Sequence, residues 1–232
     1  MDAGPDGGVD AGVDLSEPFR AFCRRRIRAL CDGNLSCCLD ATRRYDTEDC
    51  SDAAIEMGCL RASEDPALRD GTLDWDASAA ESVLADLETQ VADCGAIEQD
   101  AAGLDRVLHG TLASGETCTP YAANGFGSLG LLRCAGSLRC SLTGVATDFS
   151  GVCAPLGDLG EGCINPSTDC RSGLWCEFGA DGIPPDAPYF GLCRPQGEPC
   201  GGDYACPSRF CTRTSRLCAE PEAAETWCRR FL

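Results

Sequence analysis

Twenty cysteines in 232 residues, with no C-x2-C pair among them, limit what this chain can become more than any other feature. The stretch GEGCINPSTDCRSGLWC, residues 160–176, shows the problem at close range. Gly, Pro, Ser and Asn separate its three cysteines, and little there can form a core. Structural zinc wants closed sets of Cys or His at short spacing. Thioredoxin-type redox chemistry wants C-x2-C, and haem attachment wants C-x2-C-H. The chain has neither motif, and His109 is its single histidine. Disulfide staples remain, as expected for a Cys-dense chain exported to an oxidising compartment. A module of about 40 residues buries too little surface to offset its chain entropy. Closing a ~15-residue loop removes about 3 kcal/mol of unfolded-state entropy in the simple chain model. We therefore expect no cofactor and no metal, and a small disulfide-rich fold.

Charge narrows the partners. The formal net charge is −18, and all 19 cations are Arg, since Lys is absent. Acid exceeds base in both halves, so a phosphate-tracking surface is not expected and nucleic acid is not a partner. No apolar run reaches the ~18 residues of a membrane-spanning helix. No signal peptide is visible, so an exported chain implies a targeting segment removed upstream.

Six regions follow. Residues 1–15 are an Asp/Gly tether, with Asp2, Asp6, Asp10 and Asp14 every four residues. That spacing is too open for a calcium loop. Residues 16–110 read as a Cys-rich helical domain. Ser16 is a candidate N-cap with Pro18 in the first turn, and Phe19, Phe22, Cys23, Ile27, Leu30 and Cys31 form a helical stripe ending near Gly33. Arg24, Arg25, Arg26 and Arg28 lie mostly off that stripe and read as a solvated face. A second helix is expected to carry Cys37, Cys38 and Leu39. A third, from near Thr47, presents Cys50, Ala54, Met57 and Cys59. The clearest helix signal is DASAAESVLADLETQVADCG. Ser78 and Glu81 make a capping-box pattern, Asp76 is an alternative entry cap, and Trp75 reads as a packing residue. Ala80, Val83, Leu84, Leu87, Val91 and Cys94 form one face closed by Gly95.

Beyond residue 110 helical periodicity stops and Gly, Pro and Ser rise. Three weak repeats occupy 111–155, 156–195 and 196–219, before a C-terminal segment at 220–232. The first opens at GETC and uses Cys118, Cys134, Cys140 and Cys153. The second opens at GEGC and uses Cys163, Cys170, Cys176 and Cys193. The third opens at GEPC and uses Cys200, Cys206, Cys211 and Cys218. The first two share C-x5-C, a Leu-x-Cys phrase (GSLRC, GLWC) and a Gly-x-Cys close. The repeats hold 12 cysteines and the helical region an odd seven, Cys23, Cys31, Cys37, Cys38, Cys50, Cys59 and Cys94; Cys228 is the twentieth. Pairing Cys228 back to the helical region is one economical solution, although spacing alone does not give connectivity. Adjacent Cys37 and Cys38 are expected to take different partners.

Other motifs carry less. GFGSLG at 125–130 matches G-x-G-x-x-G but lies between two cysteines, without the strand–turn–helix that nucleotide binding requires. His109 has no partner set for catalysis and reads as a linker or surface residue in VLHGTLASGE. NLS at 34–36 is a glycosylation sequon only in a eukaryotic host. The most suggestive contact element is the loop 177–191. Pro184, Pro185 and Pro188 stiffen it, and Phe178, Tyr189 and Phe190 offer apolar contact.

The phrases GETC…GSLRC…GVCAP, GEGC…GLWC…GLCRP and GEPC resemble the Dickkopf-type or EGF-like Cys-rich repeats of secreted bacterial proteins. FCRRRIRALC…CC…C…C, followed by LDWDASAAESVLADLETQVADC, resembles the helical Cys-rich region of myxobacterial lipoproteins. In that class an Asp/Gly tether like DAGPDGGVDAGVD follows a lipidated cysteine. The resemblance implies display on the cell surface, with membrane contact only through a lipid anchor that is removed or missing here, and no established chemistry. The expectation is an N-terminal disulfide-linked helical domain followed by three short strand-and-loop repeats. It would act as an exported, surface-tethered, non-enzymatic interaction or structural protein, extracellular or on the outer cell surface, with a protein or cell-surface component as partner. Two other readings are a protease-inhibitor-like or ligand-sequestering module using loop 177–191, and an enzyme with a site in the helical domain.

Overall fold

A computed structural model describes residues 13–38, 48, 50–95, 104–118, 128–142, 151–163, 169–178, 191–197, 206, 217–219 and 228. Helix α1 spans Ser16–Cys37. Ser16 does not cap it; the Asp14 carboxylate accepts the Ser16 N–H at 2.9 Å. Nor does α1 stop at Gly33, which is buried in its interior together with Asn34 and Cys37. Burial of that last turn outweighs the ~1 kcal/mol a helical glycine costs. Cys37 and Cys38 therefore belong to the end of α1 rather than to a second helix, and Leu39 lies outside the described residues. Asn34 is fully buried, so no glycan fits the NLS sequon.

Helix α2 spans Asp52–Ser63, later than the expected start near Thr47, because Ser51 accepts the Ala54 N–H at 3.2 Å and fixes the entry. Ile55 and Cys59, one turn apart, turn inward; Met57 sits two residues off that face and is exposed. A 3-10 turn, Pro66–Leu68, leads to strand β1 (Leu73–Trp75) and helix α3 (Ala77–Asp93). The short helix α4 (Leu104–Val107) runs straight into strand β2 (Leu108–Gly110). β1 and β2 pair antiparallel with Asp74 opposite His109, so His109 is an exposed strand residue rather than part of a linker.

Three small apolar clusters hold this region. Leu15, Phe19, Ile55, Leu68 and Leu73 form one, and Leu30, Leu87, Cys37 and Cys38 another. The third joins Phe22, Val83, Leu84 and Val107, with Trp75 set edge-on to Phe22 at 5.7 Å between ring centroids. The Arg run does more than coat a solvated face. Arg20 and Arg24 meet Glu56, and Arg28 meets Asp52, which ties α1 to α2. Arg25 reaches Glu81 at 2.8 Å and Glu88 at 3.5 Å, which ties α1 to α3. Each half-exposed pair contributes little energy, but together they fix how the helices are laid side by side.

Beyond β2, the first repeat forms a three-stranded antiparallel sheet of β3 (Thr117–Cys118), β4 (Leu138–Leu142) and β5 (Gly151–Pro155), in the order β3-β5-β4. The second repeat has the same design, with β6 (Gly162–Cys163), β7 (Leu174–Phe178) and β8 (Gly191–Pro195) in the order β6-β8-β7. Even the register agrees: Cys140 lies opposite Cys153, and Cys176 opposite Cys193.

Asp76, rather than the Ser78/Glu81 box, starts α3. Its carboxylate accepts the N–H groups of Ser78 and Ala79, each at 2.9 Å, and the Ser78 hydroxyl at 2.7 Å. The Ala79 amide first, then the Ser78 hydroxyl, hold its pKa below the usual carboxylate value, with His109 adding a smaller attraction. A depressed folded-state pKa contributes stability above the unfolded value, and that stability is lost as pH falls through the folded value. We expect the melting-temperature gap between wild type and Asp76→Ala to be wide at neutral pH and to narrow well below the ordinary carboxylate range of about 4. A gap of equal size in strong acid contradicts this.

Candidate functional site

The chemistry of the repeat array begins with sulfur. In the first repeat Cys118 bonds Cys140 and Cys134 bonds Cys153; in the second, Cys163 bonds Cys176 and Cys170 bonds Cys193. Both repeats therefore join first to third and second to fourth. In the third, Cys206 bonds Cys218, again second to fourth, and Cys200 and Cys211 lie outside the described residues. These cysteines, with Leu112 and Leu138 in repeat one and Leu174 in repeat two, are the core.

The glycines of the repeat phrases now have reasons. Gly115 and Gly160, the first letters of GETC and GEGC, take φ of 86° and 84° in matching turns, a conformation open to Gly. Gly151 and Gly191 open the Gly-x-Cys close. A Cβ at Gly151 would come within 2.6 Å of the Ser141 carbonyl oxygen, and one at Gly191 within 2.6 Å of Cys176 Sγ. Each repeat thus closes where a strand passes beneath its neighbour's bridge.

Sulfur atoms crowd here. Cys118, Cys134 and Cys153 lie within 4.8 Å of one another, as do Cys163, Cys170 and Cys193. All six are in disulfides and present no thiolate, the form in which cysteine binds metal or attacks a substrate. No cysteine among the described residues is free.

One functional position escaped the sequence reading: the variable residue of Leu-x-Cys. Arg139, only 7% exposed, leaves repeat one and grips repeat two. In repeat two its Nη1 donates to the Gly162 carbonyl at 2.6 Å and its Nη2 pairs with Glu161 at 3.2 Å, while its Nε donates to the Pro155 carbonyl of its own repeat at 3.2 Å. Trp175 holds the matching place in repeat two and packs against the Cys206 and Cys218 region of repeat three. The signal was available in GSLRC and GLWC, since a strand residue between two inward ones faces outward. What it faces is set by the next repeat, which spacing does not reveal.

The array is fastened at two places. Leu129 and Leu132 pack into the cluster that holds Leu15, Phe19, Cys31, Ile55 and Leu68, and Arg133 Nη2 meets Asp70 at 2.6 Å. Leu129 belongs to GFGSLG, whose 3-10 turn (Ser128–Leu132) packs against the helical region. Cys228 bonds Cys38 across 190 residues of sequence. Leu15 and Cys38 flank α1, whose 22 residues rise about 33 Å.

Of the proposed contact loop, Phe178 ends β7. Pro184, Pro185, Tyr189 and Phe190 lie outside the described residues. No protein-family model, curated protein or solved structure matches the chain.

Arg139→Ala tests the coupling. With all bridges intact, amide exchange at the junction of repeats one and two should accelerate by about tenfold or more, the effect of losing one to two net hydrogen bonds. Trp175→Ala should act in the same way at the next junction and leave the first unchanged. Unchanged exchange at both junctions contradicts the assignment.

Proposed function

We propose that this chain is an exported, surface-tethered, non-enzymatic protein whose disulfide-closed repeats present a rigid surface to a protein or cell-surface partner. The observation that carries the reading is the set of nine bridges among the described residues. Such a density is characteristic of chains that mature in an oxidising compartment. The tether we propose is a lipid anchor, on the resemblance of residues 1–15 to the Asp/Gly segment that follows a lipidated cysteine; no helix among the described residues is long and apolar enough to cross a membrane. Bridged loops lose little conformational entropy on binding, which suits them to recognition. The described cysteines are all oxidised and offer no thiolate nucleophile, and the net charge of −18 disfavours nucleic acid.

The test is antibody staining of intact and permeabilised producing cells. Equal signal from both is the expected result. Signal that appears only after permeabilisation overturns the assignment to the cell surface.

A further inference from the structure

Helix α3 ends one residue too early for its sequence. Gly95 is the natural residue to turn left-handed after a helix, since glycine does so without strain. The structure gives that turn to Cys94 instead, with φ 48° and ψ 36°. Cys94 is the single non-glycine residue with positive φ among the described residues, and Gly95 is not among the glycines that have it. The bridge explains the shift. Cys94 is bonded to Cys37, the last residue of α1, and the two Cα atoms are 5.3 Å apart. The tie stops α3 against the end of α1 before Gly95 is reached. Of the two bridged residues, Cys37 is buried and Cys94 is partly exposed.

We propose that the Cys37–Cys94 bridge is a redox-sensitive latch on the end of α3. Closed, it forces the left-handed turn onto Cys94. Open, α3 gains one residue and the turn passes to Gly95. An external dithiol opens it in two steps. One thiolate attacks Cys94 Sγ, the sulfur–sulfur bond breaks, and Cys37 leaves with the electron pair and takes up a proton. The second thiol then attacks the mixed disulfide and releases Cys94 as a thiol. The dithiol departs as a cyclic disulfide and carries away the two-electron oxidation. Because Leu87, Val91 and Cys94 share one apolar cluster with the Cys38–Cys228 bridge, opening the latch also loosens the packing beside that bridge.

The test uses the full oxidised chain, titrated with dithiothreitol, trapped by alkylation and mapped by peptide mass. Cys37 and Cys94 should be labelled first, on the order of tenfold faster than Cys23 and Cys59, with Cys38 and Cys228 next. Any other pair opening first overturns the latch. A second measurement rests on Gly95→Ala. In the closed form a Cβ at Gly95 meets no atom nearer than 3.7 Å, so the substitution should be near-neutral. In a Cys37→Ala, Cys94→Ala background the same substitution should lower the melting temperature, because Gly95 then carries the left-handed turn. Equal effects of Gly95→Ala in both backgrounds overturn the one-residue shift.

Discussion

Covalent bonds between sulfurs stand in this protein where larger domains place an apolar interior. In the first two repeats the buried core is the bridges themselves, with a leucine or two beside them. Their sequence separations run from 13 to 23 residues. In the chain-entropy model each such closure is worth about 3 kcal/mol. Two crossed closures share part of the same entropy, so they do not simply add. Even so, a sheet of three short strands would not persist without them. The bridges also dictate sequence nearby: glycines sit where backbone must pass close to sulfur or turn left-handed, and this gives the repeats their shared phrases.

The helical region divides the work differently. Three bridges are anchored on α1, at Cys23, Cys31 and Cys37, and a fourth at Cys38, which caps it. Around them lie three modest apolar clusters and a lattice of Arg–carboxylate pairs. The Cys38–Cys228 link closes at the C-terminal end of α1, and Leu129 packs into the cluster that holds Leu15 and Cys31, so the array is held at two places. Such a closure is worth at most about 5 kcal/mol, and less once the inner bridges shorten the loop. Its larger effect is on motion, since repeats fixed at two places cannot swing freely. Arg139 and Trp175 then set how neighbouring repeats sit against each other within that span.

Much of this was legible beforehand, and the reasons are local. The buried face of α3 follows from the spacing of Ala80, Val83, Leu84 and Leu87, which no distant contact alters. The division of the tail into repeats follows from its cysteine phrases. The misreadings have two sources, competition for one helix face or cap close by and partners far away in sequence. Gly33 looks like a stop until the last turn of α1 is seen to be buried. Met57 looks apolar enough to face inward until Ile55 and Cys59 claim that side of α2. The Arg run is a largely solvated face, as expected, and what spacing did not reveal is that Glu56, Asp52 and Glu81 pair with it from other helices. Arg139 and Cys94 are the extreme cases, for their roles exist only once the next repeat and the end of α1 are in place.

The measurement that bears most directly on this account is disulfide mapping of the native, unreduced protein by proteolysis and mass spectrometry. The account requires cross-linked peptides joining Cys118 to Cys140, Cys134 to Cys153, Cys163 to Cys176, Cys170 to Cys193, and Cys38 to Cys228. Peptides joining neighbours in sequence, such as Cys134 to Cys140, would contradict it, and so would cysteines that alkylate without reduction.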